Sequence, residues 1–154
     1  MTFNNYTQKS LEAVQSAQNI AVQHSNQQLE PIHLLLALLQ QDGGLTPQLL
    51  RKMGVNAESL EAAAKAEVRK LPTVTGSREA DRFYISAAVD ATFCTAEQQA
   101  QRMKDDFISV EHLLLALIEA AQGSVKNLFE TYRVTKEGVL QALQGIRGSQ
   151  RVTT

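Results

Sequence analysis

The feature that most constrains this chain is an internal duplication. Sliding the sequence by 79 positions aligns residues 6–69 with 85–148 without a gap, and 13 of the 64 pairs are identical. Six of the identities are consecutive: His33-Leu34-Leu35-Leu36-Ala37-Leu38 against His112-Leu113-Leu114-Leu115-Ala116-Leu117. Gly44 meets Gly123, Leu49 meets Leu128, Val55 meets Val134 and Glu58 meets Glu137. An ungapped match that runs through turns is hard to obtain by chance, so each half is read as one structural unit used twice.

Within a unit the residue types are those of helices. Ala, Leu, Gln and Glu dominate, and Val, Ile and Thr never cluster in alternating runs, so the chain reads as nearly all helix. Eight helices are expected. The first spans about Gln8 to Gln23 with Thr7 as N-cap and an apolar stripe of Leu11, Val14, Ala17 and Ala21. The second opens near Pro31 and stops at Asp42-Gly43-Gly44, the third runs from Thr46-Pro47 to Gly54, and the fourth from Asn56 to Lys70. Caps repeat in kind: Thr7 with Ser86, and Asn56 with Thr135. A unit of ~65–70 residues is too small to bury a comfortable core alone. The expected fold is therefore all-α, two four-helix repeats related by a pseudo-twofold axis and packed into one globular domain. Repeat one covers about 6–71, a linker 72–84, repeat two about 85–148, and 149–154 would begin a linker to something further. The Leu-rich helices are apolar most of the way round, as suits central helices with neighbours on several sides.

Composition narrows the function classes. Among the 154 residues, 15 Lys plus Arg face 16 Asp plus Glu, so no surplus of cations favours phosphate or an anionic membrane. No apolar run reaches the ~20 residues of a spanning helix, and no secretory signal is visible. One cysteine, Cys94, fits a reducing compartment and reads as a buried small hydrophobe rather than a nucleophile. A soluble, cytosolic domain is expected. The chain has no GxxxxGK[ST] phosphate loop, no GxGxxG and no metal-ligand spacing, so no cofactor and no catalytic constellation are expected. His33 and His112 occupy equivalent positions in the first turn of a core helix, which reads as architectural: a ring hydrogen-bonding its neighbours.

The halves disagree in one place that structure alone does not explain. Before the second Leu-rich helix, Asp105, Asp106, Phe107 and Glu111 replace Asn26, Gln27, Gln28 and Ile32. One account is bland: Glu111 complements the helix dipole and the aspartates are solvated loop residues. The other is a polar-rimmed contact surface with Phe93 and Phe107 as apolar neighbours.

The block Glu30-Pro31-Ile32-His33-Leu34-Leu35-Leu36-Ala37-Leu38-Leu39 and its echo Ile108 to Leu117 resemble the double repeat of the Clp N-terminal domain. The closing Ile146-Arg147-Gly148-Ser149-Gln150-Arg151-Val152 looks like the segment that ends this domain in ClpB-type disaggregases, before the first ATPase module. The resemblance spans about residues 4–152. It implies an all-helical, non-catalytic module attached to a hexameric AAA+ chaperone motor, itself monomeric when isolated. Such a module captures exposed apolar segments of unfolded or aggregated proteins and presents them to the motor for disaggregation. Positions that matter for substrate handling in the family match Thr7, Asp105 and Glu111, and an apolar groove is assigned to Phe93 and Val89. On this view alanine at Asp105 or Glu111 weakens binding while stability barely changes. The resemblance also admits an adaptor- or tagged-substrate-docking domain of a Clp protease-associated unfoldase, and a small enzyme with scattered site residues is a third class. Lys104 stands where relatives often carry a small residue, so the turn before Asp105 is expected to differ. The ending at Val152-Thr153-Thr154 reads as that of a domain excised from a larger protein.

Overall fold

A computed structural model describes residues 3–74 and 84–148. The first half contains α1 (Gln8–Gln23), β1 (Gln28–Leu29), α2 (Pro31–Gln40), α3 (Leu45–Lys52) and α4 (Ala57–Arg69). The second contains β2 (Tyr84–Ile85), α5 (Ala87–Arg102), α6 (Val110–Glu119), α7 (Gly123–Tyr132) and α8 (Lys136–Arg147). Adding 79 to the bounds of α1 and α2 gives the bounds of α5 and α6 to the residue. Four helices start at hydroxyl or amide caps: Thr7, Asn56, Ser86 and Thr135 each accept from the backbone N–H three residues on.

The all-α class holds, and so do most boundaries. One differs: α3 begins at Leu45 with Gly44 as N-cap, not at Thr46-Pro47. Pro47 still falls in the first turn, where a missing N–H costs nothing, and the Thr46 side chain is buried instead of capping. The first helix also turns a slightly different face inward. Ser10, Ala13 and Ile20 are buried with Val14, Ala17 and Ala21, whereas Leu11 is only half-buried.

The two Leu-rich helices form the centre. Every side chain from Ile32 to Leu39 in α2 and from Val110 to Leu117 in α6 is buried. Both pack against α1, α3, α5 and α7 or their equivalents and against each other, so no face is left for water. A fully buried Leu contributes about 1.5–3 kcal/mol by leaving water, and these two helices bury nine leucines.

An element that helix-forming composition does not announce joins the halves. Segments entering α2 and α5 pair as short parallel strands, Gln28 with Tyr84 and Leu29 with Ile85. The pseudo-symmetric counterpart is a parallel bridge between Tyr6 and Ile108. Thr7 N–H donates to Ile108 O at 2.9 Å, and Ser86 N–H donates to Leu29 O at 3.0 Å. Each half thus caps the backbone of the other. Beside this crossing, Phe3, Tyr6 and Phe93 stack edge to face, with Phe3 4.9 Å from Tyr6 and 5.5 Å from Phe93.

Cys94 is exposed, contrary to its reading as a core residue. It sits at the position of Gln15 in the first repeat, on the outer face of α5, while Phe93, Ala96 and Ala100 take the inner face. Leu114→Ala should destabilise the domain by about 2–5 kcal/mol through loss of burial and a central cavity, whereas Cys94→Ser should fall within about 0.5 kcal/mol of the parent. Urea unfolding followed by circular dichroism measures both.

Candidate contact site at the seam

The site is built from two helix starts. In each half the helix before the Leu-rich helix ends in a residue with positive φ, Ser25 at 56° and Lys104 at 59°. The next N–H then turns back to the helix: Asn26 to Ala21 O and Asp105 to Ala100 O, both at 2.9 Å. Lys104 is exposed and takes the backbone shape that Ser25 takes in repeat one.

That turn delivers position 26 or 105 to the histidine of the following helix. In repeat one, Glu30 N–H donates to His33 Nδ1 at 2.9 Å. Nδ1 is therefore the acceptor, the proton sits on Nε2, and Nε2–H donates to Asn26 Oδ1 at 2.7 Å. In repeat two, Ser109 N–H donates to His112 Nδ1 at 2.8 Å, and His112 Nε2–H donates to Asp105 Oδ2 at 2.6 Å. Both rings are wholly buried and close a reciprocal cap at their helix starts, so the architectural reading of the histidines holds. Burial pushes the His33 imidazole down to about 4. Burial lowers His112 as well, opposed by its bond to Asp105 and by the charge of Glu111.

Around His112 the second half adds charge. Asp105 has no exposed side-chain surface and its Oδ1 accepts from Arg147. Glu111 accepts from Ser109 Oγ, and its other oxygen lies 3.8 Å from the Arg147 guanidinium. Thr7 joins from the other half: its N–H holds Ile108 O, and Ser10 Oγ lies 2.9 Å from the same carbonyl. The fold thus brings Thr7, Asp105 and Glu111 around one short segment.

The expected apolar partners are not surface residues. Phe93 and Val89 are 0% exposed: Phe93 lies beneath Phe3 and Tyr6, and Val89 takes the inner face of the first turn of α5. Neither lines a groove. Nearby lies a shallow cleft of about 370 Å³ on α1, formed by the partly exposed Phe3 and Leu11 over the buried Val14 and rimmed by Gln8, Glu12 and Gln15. A larger open cleft of about 630 Å³ at the α2–α3 turn is lined mainly by polar groups such as Gln40, Asp42, Arg51 and Glu61. Among the described residues no group of three or more His, Cys, Asp or Glu could hold a metal ion, and no helix is long and apolar enough to cross a membrane.

Arg147 is the functional candidate that reading the halves separately misses. At the 79-residue offset it faces Val68, just as Asp105 faces Asn26 and Glu111 faces Ile32. Three neutral positions become charged together, and the three charges meet. Burial also changes the expected consequence of alanine at Asp105. Removing that carboxylate takes from His112 Nε2–H its acceptor and leaves Arg147 with only the longer pairing to Glu111, so stability drops with it.

These features define a duplicated helical domain whose halves cap one another and whose second half carries a buried ionic cluster at the seam. The Clp repeat (R) N-terminal domain family matches residues 5–132, and the chain belongs to that family. It is 41% identical over its whole length to the chaperone protein ClpB of Bacillus cereus and 36% identical to that of Clostridium tetani. In each case it spans 18% of the relative's length. The N-terminal domain of Hsp104 from Candida albicans has the same fold, with a TM-score of 0.83 at 23% identity, covering 98% of this chain and 97% of that one. The N-terminal domain of the ClpV1 ATPase from E. coli shares it at 0.76 and 19% identity, covering 97% and 89%.

The sign of the pH dependence follows from His33. Its folded value lies below the ordinary 6.5, so the unfolded chain binds the extra proton first. The neutral ring's contribution is complete above about pH 6.5 and declines as pH falls toward about 4, by at most about 3 kcal/mol. Chemical denaturation between pH 7.5 and 4 measures the loss. In long-range ¹H–¹⁵N spectra His33 should remain the neutral Nε2–H form through pH 5. Asn26→Asp places a carboxylate on His33 where Val68 offers no counter-charge, and should lower stability at pH 7 by about 1–3 kcal/mol.

Proposed function

We infer that this chain is the substrate-capturing N-terminal domain of an ATP-dependent protein disaggregase, binding exposed apolar segments of unfolded or aggregated polypeptides for a motor in the same parent protein. The observation that carries the reading is family membership together with 41% identity to ClpB across the whole chain. The domain itself does no chemistry in this reading, needs no cofactor, and works in the cytoplasm as part of a hexameric parent. The isolated domain is a monomer.

The geometry fits a weak, permissive binder. The cleft over Phe3, Leu11 and Val14 is shallow, with polar side chains at its rim. A surface of that kind takes apolar side chains without demanding a sequence, and lets them go again. Thr7 opens the helix that carries the cleft, and its N–H is bonded to the segment that holds Asp105 and Glu111. In this reading Thr7, Asp105 and Glu111 form the polar part of the contact. Phe93 contributes from below, as the ring on which Phe3 rests.

A second reading, an adaptor-docking domain of a protease-associated unfoldase, draws on the fold neighbours ClpV1 and ClpD, the latter with a TM-score of 0.72 at 20% identity. One titration separates the two. Labelled, reduced and carboxymethylated α-lactalbumin, a permanently unfolded polypeptide, should bind this domain with micromolar or weaker affinity by fluorescence anisotropy, and the same protein with native disulfides should not. Leu11→Ser, on the half-exposed face of α1, should weaken binding at least threefold while the unfolding midpoint stays close to the parent. Equal binding of the folded form, or none of the unfolded form, favours the second reading.

A further inference from the structure

If Asp105 and Glu111 take part in the contact, something must uncover them, because the Asp105 side chain has no exposed surface and that of Glu111 only 8%. The cation paired with both is Arg147. It belongs to the final turn of α8, and that turn is attached in an unusual way. Leu143 is the last buried apolar side chain of the helix. Beyond it Gln144, Gly145 and Ile146 are exposed, Ile146 by 44%. Gly145 rests against the flexible stem of Lys52. Among the described residues, the one side chain of this turn that reaches inward is Arg147, 11% exposed, hydrogen-bonded to Asp105 and 3.8 Å from a Glu111 oxygen. Gly148 then leaves the helix at φ 62° and ψ −128°, a backbone shape that side chains rarely adopt.

Repeat one solves the same problem differently. The counterpart of Arg147 is Val68, 1% exposed and packed into the core at the end of α4. An apolar anchor has no competitor but water. An ionic anchor releases whenever another group takes its partner.

We propose that Arg147 is a latch: it holds the last turn of α8 on the Asp105–Glu111 cluster, and a polypeptide that engages those carboxylates frees that turn. The proposal rests on the substrate-capture reading above. Coupling of this kind is reciprocal, so whatever ligand binding does to the latch, opening the latch does to ligand binding. The consequence is directional. Occupancy at the seam is reported at the end of α8, while the end of α4 stays fixed.

Hydrogen exchange read by mass spectrometry tests this on the unmodified chain. Saturating reduced, carboxymethylated α-lactalbumin should speed exchange of the amides at 144–148 at least threefold, while those at 67–70, under the Val68 anchor, stay unchanged. Arg147→Met keeps the stem and removes the charge; it should bind the same polypeptide at least threefold more tightly. Should that variant fail to fold, the exchange measurement decides alone. If the polypeptide binds and 144–148 are unaffected, or both segments loosen together, the latch is wrong and the capture reading stands. If nothing binds, both fall.

Discussion

Two backbone hydrogen bonds organise this molecule: Thr7 N–H to Ile108 O, and Ser86 N–H to Leu29 O. The segments that enter the Leu-rich helices cannot complete their own pairing, because each is followed at once by a helix whose every side chain is buried. Their carbonyls must find donors from elsewhere. The first helix of the opposite half supplies them. Once that exchange is made, α2 and α6 lie side by side at the centre, and the cap histidines, the turns at Ser25 and Lys104 and the seam cluster follow from it.

Much of this was legible from residues alone. The 79-residue offset located the duplication, the caps at Thr7, Asn56, Ser86 and Thr135 located four helix starts, and the paired histidines announced their structural role. Legibility ended where position in space, not along the chain, decides. Cys94 and Phe93 are neighbours in sequence on opposite faces of α5, and only packing tells which goes in. The short strands are too brief to leave a pattern of alternation. Asp105 reads as a loop residue because the group that neutralises it stands 42 residues away.

The seam cluster shows what duplication permits. One copy of a site can keep the neutral solution, Asn26 on His33 with the buried Val68 at the position of Arg147, while the other acquires charge on the same scaffold. The charged version is the costlier one to bury. It also carries chemistry that the neutral version lacks: its partners can be exchanged. Such a difference between halves is more informative than what they share, because the shared part is already explained by packing.

The crossing of the halves has one more consequence. Since each unit finishes the other with the same bond in the same register, the contact does not depend on the two units being covalently joined. Joining them in tandem is what allowed their seams to become different.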